Sequence, residues 1–152
     1  AIVLGYGGSA KAIIYSLSLM GFKKIRVFNR NYDKIKNIKN IIPHKLEEFE
    51  DFFEEADITI NTIPINFMLE MNLRLPHTKT SSASKKSYGF DVVYNKNTFF
   101  LDHIAFDKRI YGHHMLIHQA IPCFQKWFGI KPEVDLNLLD ILDAKVATLK
   151  KP

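Results

Sequence analysis

Little in this chain of 152 residues is set aside for covalent cross-linking or for a lipid environment. A lone cysteine, Cys123, cannot form an internal disulfide, which excludes the small disulfide-stapled folds and makes a cytoplasmic setting the expectation. The longest apolar runs are a few residues, far short of the ~20 that a membrane-spanning helix needs, so no membrane association is expected. There is no internal repeat, no low-complexity tract and no signal-peptide pattern. The first residues are apolar and lack a methionine, which points to a fragment or a domain cut at its boundary. With 47% hydrophobic and 24% charged residues, the chain is long enough to bury one globular core.

Charge of one sign is in modest excess, with 21 basic against 16 acidic residues and a net charge of +5. The lysines are dispersed. In Lys34-Ile35-Lys36-Asn37-Ile38-Lys39 the two isoleucines fall on one helical face and leave the lysines to solvent. No ribbon of basic and aromatic residues and no helix-turn-helix pattern accompanies the charge, so nucleic acid is not an expected partner. Attraction of a phosphorylated, anionic cofactor is the simpler use of the field.

Strand and helix signals alternate along the chain. They predict an α/β fold, a Rossmann-like doubly wound parallel sheet of about six strands with helices on both faces. Ala1–Leu4 reads as a buried strand, Ser9–Met20 as a helix capped by Gly21, and Ile25–Asn29 as a second strand. Tyr32 to about Asn40 reads as a helix, Ile41-Ile42 as the opening of a third strand, and Leu46–Ala56 as a helix. Asp57–Asn61 and Phe90–Tyr94 are the next strands, with Thr78–Ser87 a polar loop between them. A helix is expected over Thr98 to Phe106, a short strand over Arg109–Tyr111, a long helix from Met115 to Phe128 and a final one from Leu136 to Leu149. Residues 1–132 are taken as the Rossmann domain and 133–152 as a C-terminal helix. Cys123, Trp127 and Phe128 are expected in the core.

The first candidate site is the turn Gly5-Tyr6-Gly7-Gly8-Ser9-Ala10. A strand, a glycine-rich turn and a helix N-terminus together make an anion cradle. Gly5 allows the reversal, Gly7 lets backbone approach a pyrophosphate, and Ala10 permits close helix–strand contact. No Gly-Lys-Ser/Thr closes the turn, which excludes a nucleotide-triphosphatase phosphate loop. The second is Asn29-Arg30, with Lys34 nearby. A carboxylate at the end of the second strand would bind the free ribose 2′-hydroxyl of NAD, whereas the forked donors of Arg30 suit the 2′-phosphate of NADP. Arg30 lies 25 positions beyond Gly5, near the usual interval of about 20. The third, Asn61-Thr62-Ile63-Pro64, sits at a strand's carboxyl end, beside the expected reversal of strand order. Tyr94, at another strand end, and Gln119, in Met115-Leu116-Ile117-His118-Gln119-Ala120, have groups suited to a polyol. His114 and His118 share a helical face, but no zincin glutamate follows and no carboxylate lies close in sequence, so no metal is expected.

These segments together resemble the shikimate dehydrogenase family, specifically its C-terminal NADP-binding domain, over Ala1 to about Pro132. The carrying motifs are Leu4-Gly5-Tyr6-Gly7-Gly8-Ser9-Ala10-Lys11-Ala12, Asn29-Arg30, Ala56-Asp57-Ile58-Thr59-Ile60-Asn61-Thr62-Ile63-Pro64, Asp91-Val92-Val93-Tyr94-Asn95, and Met115 to Ala120 with Trp127-Phe128-Gly129. The resemblance implies a pyrophosphate loop at Gly5, Gly7, Gly8, Ser9 and Ala10 and a 2′-phosphate clamp at Asn29 and Arg30. It implies that Asn61 and Thr62 line the cofactor cleft, that Met115 and Leu116 lie beside the nicotinamide, and that Tyr94 and Gln119 reach the substrate. The implied reaction is reversible reduction of 3-dehydroshikimate to shikimate with NADPH, in aromatic amino-acid biosynthesis. His114 stands where the family commonly has glycine, and Lys96 and Phe99 stand where it often has prolines. The proton-handling residues belong to the family's N-terminal substrate domain, which these motifs do not include, so this segment alone is expected to be inactive. Another NADP-linked two-domain dehydrogenase, acting on quinate or a folate-like carrier, and a non-catalytic NADP-binding module remain the alternatives.

Overall fold

The computed structural model describes residues 1–35, 39–64, 87–94 and 100–147. Its framework is a six-stranded sheet of β1 (Ile2–Leu4), β2 (Ile25–Asn29), β3 (Ile41–Lys45), β4 (Ile58–Asn61), β5 (Tyr88–Asp91) and β6 (Arg109–Tyr111). Every pairing is parallel, and the order is β3-β2-β1-β4-β5-β6. The chain therefore winds outward from β1 in one direction, then returns to β4 and winds the other way. The reversal lies between β1 and β4, and the carboxyl ends of those strands bound the crevice in which such sheets bind ligands.

The central strands are buried on both sides, and their alternating side chains feed two cores. On one face Val3, Val27 and Ile60 meet Ala10, Ile14 and Leu17 of α1 (Gly8–Leu19), with Ile35 alongside. On the other, Ile2, Leu4 and Phe28 pack against Leu46, Phe49 and Phe53 of the 3-10 helical segment Leu46–Glu55, and against Phe100, Leu101 and Ile104. Fully burying each such phenylalanine contributes on the order of 1.5–3 kcal/mol. The doubly wound α/β sheet expected from the alternating pattern is thus present.

Several elements differ from their sequence reading, each for an identifiable reason. The helix expected over Tyr32–Asn40 is a single 3-10 turn, Tyr32–Lys34, after which Ile35 is extended and buried; residues 36–38 lie outside those described. The third strand runs on through Pro43 to Lys45, and proline is tolerated there because β3 is at the sheet edge. The fifth strand begins two residues early and ends at Asp91, because Gly89 belongs to the strand and its bare α-carbon receives the Ile104 side chain. Ile104 is itself extended, so two 3-10 turns, Leu101–His103 and Phe106–Lys108, replace the helix expected over 98–106. Of the polar loop expected over 78–87, all but the buried Ser87 lies outside the described residues.

Helix α2 starts at Gly112, three residues before Met115, and reaches Phe128; α3 spans Leu136–Ala147. Only Gly112 and His113 of α2 are buried. The helix leaves the sheet after its first turn, so Cys123, Trp127 and Phe128, expected in the core, are exposed. Leu136 and Ile141 of α3 are exposed as well. Among the described residues no helix is long and apolar enough to cross a membrane.

Candidate functional site

The reversal point holds a cleft of about 360 Å³. Its floor is the turn from Gly5 to Ala10, one wall is Asn29 and Arg30 from the end of β2, and the other is Thr62, Ile63 and Pro64 after β4. The first two candidate sites and most of the third thus come together around one space. Tyr6 of the turn also lines it, as does Leu46, which was not singled out; it is apolar, and local pattern alone does not tell such a residue from core. Lys34 is exposed and is not among the lining residues.

The glycines of the turn are of two kinds. Gly5 has φ +97°, and a Cβ there would come within 2.5 Å of Thr62 Oγ1, so both conformation and space require glycine. Gly7 and Gly8 are different: a Cβ at either meets nothing within 4 Å. The protein's own packing does not explain them. Helix α1 begins here with no side-chain cap from Gly7 and no acidic residue in its first turn. Its N-terminal amides and positive dipole end are left for an anion.

The wall after β4 is held by a buried polar network. The Thr62 hydroxyl and amide both donate to the Leu4 carbonyl, at 2.6 and 3.0 Å, tying the end of β1 to the turn. Asn61 is fully buried and is not a lining residue. Its Nδ2 donates to Asp91 Oδ1 at 3.0 Å and its Oδ1 accepts from the Ile63 amide at 3.0 Å. Asp91 Oδ1 also accepts from the Val93 amide. Asn61 therefore shapes the cleft from beneath. Replacing Thr62 by valine, which keeps the shape and removes the donor, is expected to cost about 1 kcal/mol of stability in denaturant unfolding.

The remaining candidates sit along the same carboxyl edge of the sheet, beyond β5. Tyr94 is exposed and lies three residues past the end of β5 rather than at the strand's end as expected. Met115, Leu116 and Gln119 are on the first turns of α2, with Gln119 exposed. None of these four lines the glycine cleft. Met115, Leu116 and Gln119 are brought to this edge by Gly112, where a Cβ would lie 2.4 Å from the Val92 carbonyl oxygen just after β5. His118 is exposed on α2 and does not pair with His114 as a ligand set; instead Asp143 of α3 reaches both His113 and His114.

A parallel sheet in this order, with a glycine turn and helix N-terminus at its reversal point, defines an α/β domain of the Rossmann class. Within that class, the sequence model of the family described as "Shikimate / quinate 5-dehydrogenase" matches residues 1–93, and the chain belongs to this family. The shikimate dehydrogenase (NADP(+)) of Bartonella tribocorum is 32% identical over 149 residues, covering 88% of this chain and 49% of that protein. Its counterpart in Cereibacter sphaeroides is 32% identical over 143 residues, covering 89% and 50%. The chain thus spans about half the length of the curated relatives it matches. Among solved structures, Thermotoga maritima shikimate dehydrogenase superimposes with a TM-score of 0.68 at 26% identity, over 97% of this chain and 56% of that one. A Corynebacterium glutamicum quinate dehydrogenase in complex with NAD shares the fold, with a TM-score of 0.66 at 22% identity over 96% of this chain and 54% of that one.

Proposed function

We propose that this chain is the NADP(H)-binding part of a dehydrogenase that interconverts 3-dehydroshikimate and shikimate. The observation that carries the reading is the presence of Asn29 and Arg30 in the same cleft as the glycine turn. One ligand spanning that cleft can lay its pyrophosphate on the N-terminus of α1 and its 2′-phosphate on the Arg30 guanidinium. The two curated relatives named above carry NADP(+) in their names, which agrees with a cation rather than a carboxylate at this position.

In this reading the chain's residues bind and orient. Gly5, Gly7, Gly8, Ser9 and Ala10 hold the pyrophosphate, and Asn29 and Arg30 hold the 2′-phosphate. Asn61 supports the wall that Thr62 presents. The bound cofactor supplies a hydride at its nicotinamide, and Met115 and Leu116 flank that end. Tyr94 and Gln119 present a hydroxyl and an amide to the substrate's hydroxyl groups. Hydride transfer also needs a proton donor aimed at the carbonyl oxygen. We place that donor in a substrate domain N-terminal to this one, contributed by the half of the relatives' length that this chain does not span. Residues 1–132 then form the cofactor domain, and the C-terminal segment 133–152, which contains α3, packs toward the substrate domain. The single cysteine is in keeping with a cytoplasmic enzyme. The family's description includes quinate, and a dehydrogenase that oxidises quinate is the second reading.

Titration of the chain with NADPH and NADH tests the proposal. NADPH is expected to bind at least ~10-fold more tightly, as one charge-assisted contact requires. Equal affinity would overturn it. A second expected result separates the glycines: Gly7→Ala keeps stability within about 0.5 kcal/mol, because its Cβ meets no protein atom, yet weakens NADPH binding by crowding the pyrophosphate. Thermal unfolding and cofactor titration of that one variant check both halves.

A further inference from the structure

Away from the cleft, α2 and α3 are joined by three side chains with metal-ligating chemistry. Asp143 Oδ1 lies 2.6 Å from His113 Nε2 and 2.9 Å from His114 Nε2. One donor atom from each of the three residues falls within 4.8 Å of the others. His113 is only 5% exposed, and neither of its ring nitrogens has an aligned hydrogen bond, although the Asp143 oxygen is close to one of them. Nε2 faces the Asp143 carboxylate, whereas Nδ1 has no hydrogen-bond partner among the described residues, an unusual state for a buried polar atom.

We propose that His113, His114 and Asp143 form a site for a first-row divalent transition metal of the zinc class, joining the first turn of α2 to α3. Two neutral imidazoles and one carboxylate suit zinc, cobalt and nickel, and are too nitrogen-rich for calcium or magnesium. Ligands about 2.0–2.2 Å from a tetrahedral ion stand over 3 Å apart. Coordination therefore moves the Asp143 oxygen outward from its present 2.6 and 2.9 Å and draws the imidazoles around the ion. Three protein ligands leave the fourth position to solvent. Asp143 is half-buried and His114 partly so, which gives the ion a path from water.

The probe is Co²⁺ alone, followed by its visible absorption in the 152-residue chain and displaced by Zn²⁺. The expected result is one ion per chain, a tetrahedral cobalt spectrum, and a rise in unfolding temperature with Zn²⁺. Asp143→Asn and His114→Ala are each expected to weaken binding at least ten-fold and to abolish the thermal shift. His118→Ala and Cys123→Ser, which remove exposed ligands of the same helix, should leave both unchanged. Asp143→Asn keeps the side chain's shape at a partly exposed position, so its unfolding curve without metal reports whether it is folded. Binding that survives Asp143→Asn, or that is lost with His118→Ala, would overturn the site. Titration with 2′,5′-ADP in parallel keeps this result separate from the cofactor reading, because Arg30 and the glycine turn are untouched by all four variants.

Discussion

Arg30→Ala is expected to weaken NADPH binding by about 10- to 100-fold and to leave NADH binding nearly unchanged. Hydrogen bonds to charged groups contribute roughly 1.5–3 kcal/mol each, and 1.4 kcal/mol is a factor of ten. The loss should be confined to the phosphorylated cofactor because the 2′-phosphate is the only part that distinguishes the two. Arg30→Lys should fall between, since an ammonium keeps the charge and loses the planar fork. The difference should shrink as salt rises, because Arg30 is exposed and its attraction is screened. Fluorescence titration at two ionic strengths measures all of this. A parallel fall for both cofactors would mean that Arg30 acts through the general field of a basic chain, and no change would mean that the 2′-phosphate lies elsewhere.

The part of the site carrying this prediction was legible in the sequence because it is local. A short apolar strand, a glycine turn and an amphipathic helix occupy the first nineteen residues, and the second strand ends on Arg30. The fold needs only to place β2 beside β1, a pairing its parallel register makes over Ile2–Leu4 and Arg26–Phe28. Where the sequence misled, the deciding contact was distant. Gly89 falls just outside the strand expected over Phe90–Tyr94, and only Ile104, which needs its missing Cβ, shows that it belongs to the strand. Trp127, Phe128 and Cys123 read as core because they are apolar, but burial depends on where α2 goes after its first turn. Asn61 reads as a ligand contact at a strand end, and only Asp91, thirty positions on, shows that its amide is already committed. The His113–His114–Asp143 cluster is of the same kind: a search for nearby carboxylates misses a partner 29 residues away on another helix.

Gly112→Ala is expected to be the most damaging single substitution on the substrate side of the site, costing about 3 kcal/mol, at the upper end of the usual overpacking range. A Cβ at this position would lie 2.4 Å from the Val92 carbonyl oxygen, 2.6 Å from its carbon and 2.7 Å from the Asp91 carbonyl oxygen. All three are backbone atoms, so no rotamer change relieves the clash. The segment cannot retreat either: β5 is paired with β4 on one side and β6 on the other, and Val92 N donates to the Asn61 carbonyl at 3.0 Å. The start of α2 must therefore move. For a domain of this size the cost corresponds to a fall in Tm of roughly 6–12 °C, which calorimetry can measure. The functional effect should be one-sided. Met115 and Leu116 ride on the displaced turn, so NADPH affinity should fall, while 2′,5′-ADP, which reaches only the Arg30 end of the cleft, should bind as before. Equal loss of both ligands would show that the clash spreads across the sheet to β1 and β2, and that the two ends of the cofactor site are not positioned independently.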